Sequence, residues 1–433
     1  MESQSHGRRS APARVLLASF VGTAVEFYDF YVYATAASLV FGELFFPQAS
    51  KPAQQLAAFA TLAVAFVARP VGAVLFGHFG DRVGRKSTLV ASLLTMGLST
   101  MLVGLVPTYA QIGWWAPLIL CVLRFGQGFG LGGEWGGAAL LAVENAPPGW
   151  RARYGSAPQM GAPAGFICAN GLFLLLGLWL TPDQFRDWGW RVPFLGSALL
   201  VALGLWIRLK LTETPEFAAA LRHAPPPGMP LGELLSRHGR ATVAGTAGAI
   251  ACFALYYVAT AFALGYGTKT LGFPMTAMLQ VQLGAILFMA VGIYAAAWSA
   301  DRRWGERGVL AGGCVAAIVT GFLMGPMMGS GSLALIFAYL ALTLLVMGFV
   351  YGPLGAWLSG LFPARVRYTG ASLAFNVAGV LGGGLTPLVA QALAGRYGLV
   401  AVGLYGSAAA ALSLVALLVS RGRMIHPAAV LEP

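Results

Sequence analysis

Residues 77–86 read Gly77-His78-Phe79-Gly80-Asp81-Arg82-Val83-Gly84-Arg85-Lys86, a charged, glycine-punctuated link between two long apolar runs. A looser echo comes much later in the chain, Asp301-Arg302-Arg303-Trp304-Gly305-Glu306-Arg307, with Asp301 in the place of Asp81. A second pair of links does the same: Arg151-Ala152-Arg153-Tyr154-Gly155-Ser156 and Arg365-Val366-Arg367-Tyr368-Thr369-Gly370. Arg153 and Arg367 stand nearly as far apart in the chain as Asp81 and Asp301. Two link signatures that recur at nearly one spacing indicate a duplicated unit with both copies in the same orientation. The stretches that these links join are apolar enough to enter a bilayer, so the repeat predicts two equivalent bundles facing each other across a central cavity.

The composition agrees with that placement. Of 433 residues, 58% are hydrophobic and 10% charged, and the mean hydropathy is +0.74. Soluble domains carry far more charge. The apolar runs are continuous rather than short alternating segments, which excludes a membrane barrel. Allowing roughly 20 residues per helical crossing, spans are predicted near 15–40, 54–79, 86–106, 115–144, 154–180, 190–209, 241–268, 277–299, 308–328, 332–358, 367–394 and 398–420. The expected fold is therefore an all-α membrane protein of twelve transmembrane helices in two parallel six-helix halves. Residues 1–209 form one half and 241–433 the other, with the proline-rich segment 210–240 as a linker.

Lys and Arg number 27 against 15 Asp and Glu, a formal charge of +12. Position decides what that excess means. Twenty of the bases fall in one alternating set of links, five in the opposite set (Lys51, Arg186, Arg191, Lys269, Arg396), and Arg69 and Arg124 sit inside apolar runs. Basic residues near span ends mark the cytoplasmic side, so both termini are expected there and no nucleic-acid partner is implied. The basic start is not followed by a short apolar core with a cleavage site, so the first span is read as retained. Cys121, Cys168, Cys252 and Cys314 lie singly in apolar segments and read as free thiols, with no metal-like spacing.

Charges inside a bilayer are costly, so each embedded one needs a partner or a task. The first half buries Glu26, Asp29, Arg69, Arg124 and Glu134, whereas the second offers only Lys269, near a span end. Glu26 and Asp29 are three apart, which puts both carboxylates on one helix face. Two such groups resist double ionisation unless a cation intervenes, so they form a reversible proton site. Glu134, among the glycines at 128, 132, 133, 136 and 137, reads either as a latch or third proton carrier or as a structural carboxylate. Arg124 falls near mid-membrane, where its planar fork could clamp a substrate carboxylate or merely neutralise the acid pair. Tyr28, Tyr31, Tyr257, Asn376 and Gln391 are candidate hydrogen-bonding contacts for a solute, each also readable as helix packing. The repeated links supply gating candidates in Asp81, Arg82, Arg85, Arg153, Asp301 and Arg367, with Arg69 beside Pro70 as a gate or proton-path partner.

Taken together, these segments resemble the metabolite:proton symporters of the major facilitator superfamily. The likeness rests on Gly77 to Lys86, Glu26-Phe27-Tyr28-Asp29-Phe30, Ala68-Arg69-Pro70 and Leu123-Arg124-Phe125-Gly126-Gln127-Gly128 leading to Gly132-Gly133-Glu134-Trp135-Gly136-Gly137. It extends through Trp188-Gly189-Trp190-Arg191-Val192-Pro193-Phe194 and Phe362-Pro363-Ala364-Arg365-Val366-Arg367-Tyr368-Thr369-Gly370-Ala371-Ser372. Ile112-Gly113-Trp114-Trp115-Ala116-Pro117 and Thr260-Ala261-Phe262-Ala263-Leu264 resemble the shikimate permease subgroup in particular. One departure is that Ser359-Gly360-Leu361 stands before Phe362-Pro363, where the family often has a Glu. The resemblance implies a proton-coupled inner-membrane importer of a small organic acid, working by alternating access as a monomer with no cofactor and no metal. A zwitterionic osmolyte such as betaine or proline is the alternative solute. An intramembrane enzyme using Glu26 and Asp29 is disfavoured, because no nucleophile or histidine stands beside them.

Overall fold

The computed structural model describes residues 11–83, 85–132, 134–210, 230–363 and 366–420. Twelve helical spans can be traced among them. The first, α1, runs Ala11–Ala36, passes through a π-helical turn at Ala37–Phe41 and ends in Gly42–Phe45. Then come α2 (Lys51–Val83), α3 (Arg85–Val103), α4 (Trp115–Leu131 and Glu134–Glu144), α5 (Arg151–Ser156 and Gly161–Trp179) and α6 (Val192–Lys210). The second half opens with α7, built from Pro230–Tyr257, a π turn at Val258–Phe262 and Ala263–Lys269. It continues with α8 (Met275–Ser299, then a π turn at Ala300–Trp304), α9 (Gly305–Met328) and α10 (Leu333–Tyr351 and Leu354–Gly360). The last two spans are α11, from Arg367–Ala378 through a π turn at Gly379–Gly384, and α12, the final stretch of Thr386–Val419.

Eight continuous helical runs among the described residues are long and apolar enough to cross a membrane, and two of them hold two passes each. The breaks fall at Gly305 (φ +67°) and Gly398 (φ +78°), conformations that only glycine adopts without strain, so the helix reverses there without a loop. The last part of the expected linker 210–240 is helical. Pro230 starts α7, as proline at a first helical position can, and a non-helical His238 (φ −122°) kinks the chain into the span proper. Residues 211–229 lie outside the described residues.

The halves repeat at apolar positions as well as in their links. A Cβ on Gly72 would run into the Phe129 carbonyl oxygen, and one on Gly128 into that of Ala65, so α2 and α4 touch backbone to backbone. Gly292 and Gly348 are their counterparts, in register with the Asp81 and Asp301 links, and they bring α8 and α10 together in the same way. The π turns in α1 and α7 likewise occupy matching places in the two halves. They meet across the halves, where the Ser38 hydroxyl donates to Ala34 O at 2.8 Å and Ala261 O at 3.0 Å. A π turn leaves carbonyls without their usual helical partners, and here a serine of the opposite half uses one.

A candidate transport site between the two halves

Between the halves lies a cavity walled by eight residues from each. The first half contributes Glu26, Phe27, Phe30 and Tyr31 from α1, Arg69 from α2, Leu131 and Trp135 from α4 and Ala162 from α5. The second contributes Cys252, Phe253, Tyr256 and Tyr257 from α7, Met289 from α8, Met347 and Tyr351 from α10 and Phe375 from α11. Both charged wall residues belong to the first half. Arg69 and Met289 are counterparts in the repeat, so the duplication carries a cation on one wall and a thioether on the other.

Arg69 is 5% exposed, and its Nε has no hydrogen-bond partner. Its guanidinium lies 5.6 Å from the centres of both the Phe30 and Phe66 rings and 6.0 Å from Phe375, within cation–π reach of three ring faces. Toward the end of the molecule that carries the basic links, the cavity floor is a ring stack: Trp135 and Phe375 lie 3.4 Å apart and within 5° of parallel. Trp135 donates its indole N–H to Gln159 at 3.2 Å, which fixes the ring.

Behind Phe30, inside the first half, sits a second charged cluster that the cavity does not reach. Arg124 is fully buried, 4.1 Å from the Phe30 ring centre and 4.0 Å from that of Tyr33. Its Nη1 donates to Gln127 Oε1, while Nε and Nη2 have no partner. Gln127 in turn donates to the Asp29 carbonyl and to Thr100 Oγ1, both at 2.9 Å. The Asp29 carboxyl is fully buried, and neither of its oxygens has a hydrogen-bond partner. Buried polar groups are normally satisfied, yet here an acid and a guanidinium are left open in one interior.

At the basic end, Asp301 joins the halves. One carboxylate oxygen accepts the Ala152 backbone N–H at 2.9 Å, and the other accepts the Arg153 backbone N–H at 3.0 Å and its Nε at 2.9 Å. The acid thus caps the start of α5 from the opposite half, where local sequence supplies no cap. Arg367, the counterpart of Arg153, donates to Glu144 at 3.4 Å and to the Phe362 carbonyl at 3.2 Å. At the other end, Lys269 pairs with Glu43 at 2.5 Å, again across the halves. Both ends of the cavity thus carry contacts that join the halves.

The expected site residues separate into groups on this frame. Glu26, Arg69, Tyr31 and Tyr257 meet in the cavity wall, whereas Asp29 and Arg124 lie behind it. Glu26 and Asp29 therefore do not share one environment: residues three apart lie about 60° apart around the helix axis, and the cavity wall runs between them. Tyr28 is spent on packing, its hydroxyl donating to the Pro193 carbonyl at 2.8 Å. Asn376 donates to the Gly132 carbonyl at 2.8 Å across the halves, and Gln391 is half-buried beyond the π turn of α11, neither among the cavity-lining residues. The side chains of Asp81, Arg82, Arg85 and Glu134 lie outside the described residues. Residues missed as site candidates include Gln127, legible as the i+3 partner of Arg124, Asn170, a lone amide in the run 161–180, and Glu43.

A model of the family described as "Sugar (and other) transporter" matches residues 15–224. The inner membrane metabolite transport protein YhjE of Escherichia coli is 51% identical over 411 residues, covering 94% of this chain and 93% of that protein. The chain belongs to the metabolite transporter family of the major facilitator superfamily. The shikimate transporter of Escherichia coli is 40% identical to this family member over 396 residues, covering 90% and 89% of the two chains. A crystal structure of a D-xylose-proton symporter superposes on the transporter with a TM-score of 0.72 at 18% identity, covering 94% and 96% of the chains, and so shares its fold.

Proposed function

We propose that this transporter imports a small organic acid together with protons, by alternating access of the two halves around the central cavity. The observation that carries the reading is the pairing of an aromatic cavity holding one cation, Arg69, with a separate buried acid, Asp29, that a proton can neutralise without breaking any hydrogen bond. Substrate carboxylate binds Arg69, whose Nε is open. Protons load Asp29, with Glu26 as the exchange point in the cavity and Arg124 as the counter-charge behind Phe30. This assignment moves the carboxylate clamp from Arg124 to Arg69, because Phe30 and Tyr33 close over Arg124 and Gln127 already occupies its Nη1. The similarity to a shikimate transporter supports a cyclic or hydroxylated acid as solute.

The basic end faces the cytoplasm in this reading, with both termini there, and the Asp301–Arg153 and Glu144–Arg367 pairs close the inner gate. Glu43–Lys269 closes the outer one. A zwitterionic solute is the second reading, supported by the aromatic wall of Tyr31, Tyr256, Tyr257 and Tyr351, which would face an ammonium group. Purified protein in liposomes, with pH imposed acidic outside, tests the first reading against the second and against a channel. Uphill accumulation of an acid such as shikimate supports symport. Equilibration without accumulation, or accumulation of betaine alone, overturns it.

A further inference from the structure

Next to the central cavity, toward the Glu43–Lys269 end, lies a smaller void bounded by Thr35, Asn170, Tyr256, Thr260 and Gln282. Tyr31 and Tyr256 border both spaces, and their rings stack 5.2 Å apart at 27° where the two meet. Asn170, on α5 and 1% exposed, accepts the Thr35 hydroxyl at 2.5 Å through Oδ1 and leaves Nδ2 without a partner. Gln282, on α8 and 1% exposed, donates through Nε2 to the carbonyls of Ala259 (3.1 Å) and Thr260 (2.8 Å). Those carbonyls belong to the π turn of α7, so the turn fixes which way the amide faces and leaves Oε1 unpartnered.

The void is therefore bordered by a free amide donor from the first half and a free amide acceptor from the second, both buried, with the unpartnered Tyr256 hydroxyl beside them. A carboxylate would offer Gln282 nothing, and an ammonium would offer Asn170 nothing. A hydroxyl does both, accepting from Asn170 and donating to Gln282. We propose that Asn170 and Gln282 form a subsite for a hydroxyl group of the solute whose carboxylate sits at Arg69, which makes the substrate class a hydroxylated organic acid. The inference rests on the proposed function for the carboxylate end and adds a recognition element beyond it. Because the two amides come from opposite halves, a hydroxyl between them also ties the halves together around a loaded cavity.

The experiment is a binding titration of purified protein, read by tryptophan fluorescence, with two probes: a trihydroxylated cyclohexene carboxylate and its unhydroxylated parent acid. The native protein binds the hydroxylated probe at least about tenfold more tightly, the worth of hydrogen bonds whose loss strands two buried amide groups. Asn170→Leu removes the donor and should abolish that preference, and retained binding of the parent acid shows that the variant folds. Asn170→Asp keeps the acceptor for Thr35 and exchanges only the free donor, and it should lose the preference too. Equal affinity of the native protein for both probes, or a preference that survives both variants, overturns the subsite and leaves the void to water. Failure of pH-driven uptake with the binding preference intact would overturn symport alone.

Discussion

Replacing Asp301 by Ala removes a side chain that crosses the halves with three hydrogen bonds, at 2.9, 3.0 and 2.9 Å, and that is only 5% exposed. Breaking a buried ion pair by deleting one partner costs about 3–5 kcal/mol. Arg153 is 16% exposed and keeps the Gly149 carbonyl at 3.0 Å and the Trp150 ring at 3.6 Å, so the lower end applies. The contact joins the halves only while the basic end is closed, so the loss weighs on the closed state and not on the open one. At about 1.4 kcal/mol per factor of ten, about 3 kcal/mol moves the open-to-closed ratio at that end by about a hundredfold. Ala300, packed against Ala152 and 7% exposed, is a reporter position. With the exposed native thiol Cys168 replaced by Ser, Ala300→Cys should react with a membrane-impermeant maleimide far faster in the Asp301→Ala background than in the parent. Rates within about twofold of each other would refute the argument, because they would place the pair in the range of a solvated surface contact worth under about 1 kcal/mol.

Three further outcomes follow from the same geometry. Glu144→Ala should change the labelling rate by less than about fivefold, because Glu144 is 51% exposed and 3.4 Å from Arg367, and this is read in the same assay. Arg69→Lys should weaken binding of an organic acid by about tenfold, the loss of one charge-assisted hydrogen bond, while Arg124→Lys leaves affinity within about twofold, as titration of the purified variants will show. Gly128→Ala should lower stability by about 1–3 kcal/mol because its Cβ would meet the Ala65 carbonyl, whereas Gly312→Ala, with nothing within 4 Å, should leave the melting temperature unchanged.

Much of the architecture was legible before any coordinates. Long apolar runs admit only helices, and the paired links at Asp81 and Asp301, and at Arg153 and Arg367, specified two parallel units. The repeat could have been traced further, since Gly72 and Gly292, and Gly128 and Gly348, stand in the same register as the Asp pair and perform the same close packing. The reversals at Gly305 and Gly398 fall in the breaks that the pattern placed after residues 299 and 394, and what the pattern did not show is that each turns on one glycine of positive φ.

The site was legible as an inventory but not as a partition. Depth along a helix follows from counting, so Arg124, Asp29 and Arg69 all fell inside the membrane. Azimuth depends on how helices pack, and a ring such as Phe30 decides which cation faces the cavity. Glu26 and Asp29 illustrate the limit: their spacing was known, yet the cavity wall runs between them. The outer pair Glu43–Lys269 joins residues far apart in the chain, a contact no local pattern announces.

The central claim is that Asp29 carries the coupled proton apart from the substrate cavity. Asp29→Asn keeps the volume and removes the ionisable group, so uptake into liposomes under an imposed pH gradient should lose uphill accumulation while counterflow, in which loaded carriers exchange without net proton movement, continues. Accumulation at the native level in the variant would contradict the account and place the proton on Glu26 or Glu134.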